Sequence, residues 1–205
     1  DPTNLNDTVK DIPNEDVREV RGRFNFNLRY RNKKCSGLTY GLNGNFMRSS
    51  KNFSLVWQNT ENNHDGLYRS YPGTMTLTEI TTFYLDPFVS YITSRGLQHT
   101  FRSRILFNNS DNSNNQSVRS TVYFGEYQIQ RTFSKMKDLN MIAGVAGAYT
   151  TSNSDIFVGG DSSGVNNSKN FSLYMQLDKK FFKVLNVSAG VRGEYFQINS
   201  TEFVV

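Results

Sequence analysis

The chain has 205 residues, a formal net charge of +5 and 14% aromatic residues, and its single cysteine excludes an internal disulfide bond and a cysteine-based metal site. It contains no run of about 18 apolar residues, which excludes a transmembrane helix. Its lysine and arginine residues are scattered along the chain, so we expect no nucleic-acid partner.

Apolar and polar residues alternate with a period of two along most of the chain, which predicts β-strands. We predict nine strands, at residues 22–31, 38–47, 52–59, 76–92, 98–108, 119–133, 139–150, 171–181 and 185–198. Most exceed the five or six residues that are usual in soluble sheets, and suit a tilted bilayer crossing of about 9–11 residues. Residues 1–20 are predicted to be a linker or mobile loop, and residues 21–205 one partial barrel.

The predicted connections fall into two length classes. The short ones are 48–51, 93–97, 134–138 and 181–184, and the long polar ones are 59–75, 109–117 and 152–169. From the second strand onward the two classes alternate, which is typical of outer-membrane barrels with short periplasmic turns and long extracellular loops. The connection 32–37 departs from this scheme, because it is short where a long loop is expected. Asp86-Pro87 lies inside a predicted strand and indicates a bulge or bend there.

The alternation alone does not decide whether the apolar side of the strands faces a protein core or a lipid bilayer. A soluble antiparallel sandwich or lipocalin-like barrel would turn a side rich in leucine, isoleucine and valine inward. Here the apolar side is rich in tyrosine, phenylalanine and tryptophan, which is typical of the aromatic girdles of membrane barrels. The opposite side carries charges that would line a wet lumen: Arg23, Arg29, Arg31, Arg102, Arg104, Glu126, Asp178, Arg192 and Glu194.

Several strings resemble the barrel of TonB-dependent outer-membrane receptors of Bacteroides-type bacteria. The main ones are RYRNKKCSGLTYGLNGNFM at 29–47, DPFVSY at 86–91, HTFRSRILFNN at 99–109, YFGEYQIQRTF at 123–133 and YMQLDKKFFKVLNVSAGVRGEYFQIN at 174–199. The resemblance implies an all-β, antiparallel, up-and-down transmembrane β-barrel segment in the cell outer membrane. Members of the family also carry a plug domain, to which nothing here corresponds. We therefore expect the middle of a receptor barrel, as a fragment or as the ordered part of a longer chain.

The resemblance also implies a function, namely active import of a scarce ligand such as a siderophore, vitamin or glycan. It implies no enzymatic activity, no catalytic residue and no cofactor. The implied partners are outer-membrane lipid, the receptor's own plug domain, TonB and, as an open question, a surface lipoprotein. Two alternatives remain open: a receptor-like barrel subunit with a structural or passive role in an outer-membrane assembly, and a soluble all-β carbohydrate-binding module.

Candidate site residues follow from this reading. In the predicted extracellular loops, the candidates for ligand binding are His64, Asp65, Tyr68, Arg69, Tyr71, Asn112, Asn114, Asp155 and Asp161. On the predicted lumen side, the candidates for contact with the plug are Arg102, Arg104, Glu126, Gln128, Asp178, Arg192 and Glu194. No metal site is expected, because His64 and His99 are far apart in sequence and the loop with Asp155 and Asp161 fits no EF-hand spacing.

Overall fold

A computed structural model of the chain describes residues 19–54, 74–113, 115–136, 139–156, 164–182 and 184–198. Eight antiparallel strands form one sheet in chain order, and the described residues contain no α-helix. The strands are β1 (Glu19–Arg31), β2 (Leu38–Ser54), β3 (Met75–Ile92), β4 (Leu97–Asn112), β5 (Val118–Phe133), β6 (Leu139–Ser154), β7 (Val165–Phe181) and β8 (Leu185–Ile198). The prediction of an all-β, antiparallel, up-and-down fold is therefore confirmed. Across the part of the chain described, no helix is long and apolar enough to cross a membrane.

Two predicted strands are one strand in the structure. β2 runs without interruption through residues 48–51, where we predicted a turn, and Arg48, Ser49 and Ser50 pair in register with β3. The predicted turn is wrong because the stretch RSSK is polar on both faces, so its alternation vanishes although its backbone ladder continues. The described residues therefore form eight strands instead of nine; residues 55–59, the predicted end of the third strand, lie outside them.

The same error shortened other predicted strands at the same end of the sheet. β4 extends to Asn112, β6 extends to Ser154 and β7 begins at Val165, and these extensions are polar. The long loop predicted at 109–117 is wrong, since only residues 113–117 connect β4 to β5. Residues 19 and 20, predicted as part of a linker, belong to β1, and residues 1–18 lie outside the described chain.

Merging the two strands removes the one misfit in the predicted order of connections. Four connections now share one end of the sheet, which we call the short-turn end: 32–37, 93–96, 134–138 and 182–184. The opposite end, which we call the long-loop end, holds the connections 55–74, 113–117 and 155–164. Two of the three connections at the long-loop end are longer than every connection at the short-turn end, so the predicted asymmetry holds except at 113–117.

Local chemistry closes the short turns. The Asn32 side-chain oxygen accepts hydrogen bonds from the backbone N–H groups of Lys34 and Cys35, at 2.8 and 3.0 Å. Gly37 and Gly96 have φ angles of 87° and 74°, which glycine adopts more readily than other residues. These residue types explain why the first two turns occur where the sequence places them.

Side chains divide into an apolar face and a polar face. On β3 the apolar face presents Phe83, Leu85, Pro87, Val89 and Tyr91, and the register aligns them with apolar residues of β2 and β4. We call this band the apolar belt. It spans residues 38–46 of β2, 83–91 of β3 and 99–107 of β4, and continues over the apolar residues of the same face on other strands, including Leu28 of β1, Met141 and Ala143 of β6 and Leu177 of β7. The intervening residues of the same strands form the polar face. Beyond the belt, toward the long-loop end, the apolar face itself turns polar, and we call this part the rim: Arg48, Ser50, Glu79, Thr81, Asn109, Asp111 and Arg119.

Burial in this sheet is the reverse of that in a soluble domain. Among the described residues, Ala146 is the buried hydrophobic residue, at 9% exposure, whereas the buried polar residues are Thr39, Asn45, Ser49, Ser54, Ser154 and Ser172. Large apolar side chains of the belt, such as Leu28 and Phe101, are 61% and 45% exposed. The sheet therefore has no conventional apolar core among the residues described, and its apolar groups face outward.

Aromatic rings lie against cross-strand glycines and help to set the register. Gly41 is opposite Phe88, and a Cβ added to Gly41 would lie 2.6 Å from that ring. Gly144 is opposite Tyr174, and a Cβ there would lie 2.5 Å from the tyrosine oxygen. A ring that covers a glycine replaces its missing side-chain contacts, and a shift of register would break each pair.

Of the bulge or bend predicted at Asp86-Pro87, the bulge is not present. Leu85 pairs with Ile105 and Phe88 with Arg102, so the register is the same on both sides and no residue is inserted. The pairing between β3 and β4 is interrupted at Asp86 and Pro87, as expected where proline lacks an N–H donor.

Candidate functional site on the polar face

A cavity of about 820 Å³ lies on the polar face and reaches from β1 to β6. Its charged lining consists of Arg29, Arg102, Arg104 and Asp86. Amides, hydroxyls, two aromatic rings and four smaller apolar residues complete the lining: Asn27, Asn43, Ser90, Gln98, Thr100, Ser103, Phe88, Phe124, Pro87, Leu106, Val122 and Ala148. The register brings these residues together from strands that are distant in sequence.

An ion pair spans the gap in the ladder at Pro87. Arg104 donates from Nε and Nη2 to the two Asp86 carboxylate oxygens, at 2.7 and 2.6 Å. Its guanidinium carbon also lies 4.9 Å from the centroid of the Tyr84 ring. A bidentate pair held against an aromatic ring has little freedom, so Arg104 and Asp86 form a fixed wall of the cavity.

The other two arginines of the cavity, Arg29 and Arg102, differ from Arg104 in that they lack a direct carboxylate contact within the residues described. Glu126 is the register partner of Arg102, yet its carboxylate accepts a hydrogen bond of 2.8 Å from the Tyr174 hydroxyl. The cavity thus carries three cationic groups and one carboxylate, which suits a partner with negative charge or many acceptor oxygens.

The predicted lumen residues all lie on the polar face, but they form two groups. Arg102 and Arg104 line the cavity, and Glu126 and Gln128 lie beside it near Tyr174. The second group lies on β7 and β8 and consists of Asp178, Arg192 and Glu194. Glu194 accepts hydrogen bonds from Asn170 and Arg192, and Asp178 accepts one from Gln176. Hydrogen bonds to neighbouring residues of the sheet hold the side chains of Arg104, Glu126, Asp178 and Glu194 in place.

Two of the predicted loop residues, Asn112 and Asp155, each form a hydrogen bond with Ser117 at the connection 113–117. The Ser117 hydroxyl accepts from the Asn112 backbone N–H at 3.0 Å, and the Ser117 backbone N–H donates to the Asp155 carboxylate at 3.1 Å. Asn112 and Asp155 therefore brace a turn. The remaining predicted ligand contacts lie outside the described residues: His64, Asp65, Tyr68, Arg69, Tyr71, Asn114 and Asp161.

Sequence reasoning missed two charged residues of the cavity as site residues. Arg29 carries the right charge on the right face, but only the pairing of β1 with β2 and of β2 with β3 brings it near the arginines of β4. In the sequence, Asp86-Pro87 indicates only a bulge or bend. The ion pair of Asp86 with Arg104 depends on the register of β3 and β4, which the sequence does not show.

The cavity offers charged groups and hydrogen-bond donors and acceptors to a partner. In the described ranges, no group of three or more histidine, cysteine, aspartate or glutamate residues is placed to hold a metal ion.

No family model, curated protein or solved structure matches this chain.

Proposed function

We propose that this chain is part of the transmembrane β-barrel of a TonB-dependent outer-membrane receptor that imports a scarce ligand, such as a siderophore, vitamin or glycan. The observation that carries the membrane assignment is the reversed burial: the apolar belt faces outward and the buried side chains are polar. The strings that resemble the receptor barrel support the family.

The height of the apolar belt supports a bilayer as its solvent. Nine residues with a rise of about 3.4 Å span about 31 Å along a strand, and a tilt of 35–45° reduces this to about 22–25 Å. The apolar band of outer-membrane barrels is about 25 Å tall. In water, the belt would be a contiguous surface of exposed large apolar side chains across several strands, of the kind that soluble monomers rarely carry, which disfavours the soluble carbohydrate-binding module.

The polar face would then line the lumen. In the complete receptor, acceptor groups of the plug domain would meet Arg29 and Arg102, whose charges lack an ion-pair partner among the described residues. The long-loop end would face the cell exterior and contribute ligand contacts. A surface lipoprotein that closes over these loops is compatible with this arrangement.

The single cysteine offers a direct test of location and sidedness. Cys35 is exposed in a short turn, which the proposal places in the periplasm. A membrane-impermeant maleimide should leave Cys35 unlabelled in intact cells that produce the natural full-length protein, and should label it after the outer membrane is permeabilised. Mass spectrometry of the peptide that contains Cys35 reads this site separately from any other cysteine of the full-length protein. A matched variant, Cys35→Ser with Gln116→Cys, should be labelled in intact cells. Labelling of Cys35 without permeabilisation would contradict the orientation.

Transport is tested separately. Cells that produce the protein are offered three radiolabelled probes: an iron-loaded siderophore, cobalamin and an oligosaccharide. We expect accumulation of at least one probe that stops when TonB is deleted or the proton gradient is collapsed. Correct sidedness with accumulation that is independent of TonB would instead indicate the passive or structural barrel.

A further inference from the structure

Two cations lie on the apolar face just below the belt, at the short-turn end. Arg131 of β5 pairs in register with Met141 of β6, which pairs with Leu177 of β7. Lys179 follows two residues later on β7, on the same face, and pairs with Val187 of β8. The two cations therefore flank β6, about 10 Å apart across the sheet and about 7 Å apart along the strands, so that their backbone positions are about 12 Å apart.

Both cations lean toward the short-turn end. The Arg131 guanidinium carbon lies 4.9 Å from the centroid of the Phe133 ring, and the Lys179 ammonium lies 5.1 Å from that of Phe181. Each ring is two residues nearer to the adjoining turn than its cation. The charges thus point away from the belt, as basic side chains do when they extend from apolar surroundings toward a polar boundary.

The positive charge at this level has no carboxylate against it among the described residues. The four ion pairs that the structure describes join Arg21 to Glu19, Arg48 to Glu79, Arg104 to Asp86 and Arg192 to Glu194. Asp178 precedes Lys179 in sequence but lies on the opposite, polar face, where it accepts a hydrogen bond from Gln176. Arg131 and Lys179 are therefore available to an anion that approaches from outside the sheet.

We propose that Arg131 and Lys179 together bind the phosphate of an anionic phospholipid, whose acyl chains lie along the belt over Met141, Ala143 and Leu177. Both cations can donate charge-assisted hydrogen bonds to one phosphate. Met141 and Leu177, which are level with Arg131, and Ala143 above them form a continuous apolar surface for the chains. This inference rests on the proposed membrane location and adds to it a specific lipid and its contacts.

The experiment measures lipid retention. The natural full-length protein is placed in nanodiscs made of equal amounts of phosphatidylcholine and phosphatidylglycerol, extracted in mild detergent, and analysed by native mass spectrometry. We expect phosphatidylglycerol to remain bound to the wild type, and retention to fall on the order of tenfold in Arg131→Gln/Lys179→Gln. The control Lys33→Gln/Lys34→Gln removes the same charge from a turn at the same end, and should retain the lipid as the wild type does. The charge-conserving variant Arg131→Lys/Lys179→Arg should also retain it.

Each other outcome overturns the inference in a recognisable way. Equal losses in the Gln variant and in the control would mean diffuse attraction to the surface. Displacement of the lipid by inorganic phosphate alone would mean a free-anion site. Equal retention by all variants would remove the lipid site but leave the proposed function intact, whereas a wild-type protein that never enters nanodiscs would refute both.

Discussion

The two halves of the strands share one hydrogen-bonded ladder but differ in the chemistry of their outward side chains. On β2, residues 38–46 present Tyr40, Leu42 and Phe46 to the outside, whereas Arg48 and Ser50 follow on the same face. Pairing with β3 continues through both halves without a change of register. The comparison teaches that backbone pairing sets the length of a strand, whereas the alternation of apolar and polar side chains marks only part of that length.

The two halves also differ in how exposed their ion pairs are. The rim pair of Arg48 and Glu79 has side chains that are 66% and 47% exposed, at a distance of 3.2 Å. In the belt half, Asp86 is 20% exposed and forms two short bonds with Arg104 on the polar face. The same type of contact should therefore matter more in the belt half than at the rim.

The largest expected effect comes from a charge placed in the middle of the belt. Under the proposed membrane location, Leu42→Arg should destabilise the folded protein in bilayers by about 2–4 kcal/mol, because the side chain would face hydrocarbon. Ser50→Arg lies on the same face of the same strand, opposite Glu79, and should change stability by less than about 1 kcal/mol. Urea titration of the protein folded in lipid vesicles measures both values. Equal losses would show that the belt and the rim face the same solvent.

A smaller effect is expected from adding a methyl group to a glycine that a cross-strand aromatic ring covers. Gly144→Ala should cost about 1–3 kcal/mol, since the new Cβ would lie 2.5 Å from the Tyr174 oxygen and 2.8 Å from the Tyr127 carbonyl oxygen. Gly125→Ala is the control, because a Cβ there meets nothing within 4 Å, and it should be neutral or slightly stabilising. The same titration applies, and a neutral Gly144→Ala would mean that the ring does not pack as described.

The smallest expected difference compares the two ion pairs. Asp86→Asn should cost about 1 kcal/mol, after allowance for the partial exposure of Arg104, because it removes a bidentate charge-assisted contact. Glu79→Gln should cost less than about 0.5 kcal/mol, since exposed pairs are worth little. Measured at low and high salt, the Glu79→Gln effect should shrink further. A larger loss at Glu79 than at Asp86 would reverse the comparison.

Prediction from sequence succeeded where side-chain alternation was strong. The centres of the strands were located because residues such as Phe24, Phe26 and Leu28 recur on one face with period two. The strand ends were missed at Arg48–Lys51 and beyond Asn108, because polar residues on both faces carry no alternation. Side-chain pattern therefore reported the extent of the belt and underestimated the extent of the ladder.

The candidate site was predictable only in part. Charge and face identified Arg102, Arg104, Glu126 and the other polar-face residues, since period two assigns each residue to a face. Their partners depend on which residues stand opposite each other across strands. Tyr174 reaches Glu126 across two strand boundaries, and sequence spacing does not encode that distance.

The amino-acid sequence by itself determined the class of fold, the two chemically distinct faces and the position of the apolar belt, because these follow from local periodicity. Only the tertiary structure decided the number of strands, the full length of β2, the cavity between Arg29 and Arg104, and the placing of Arg131 and Lys179 around β6. Those features depend on register, a cooperative property of neighbouring strands that side-chain contacts and backbone hydrogen bonds establish together.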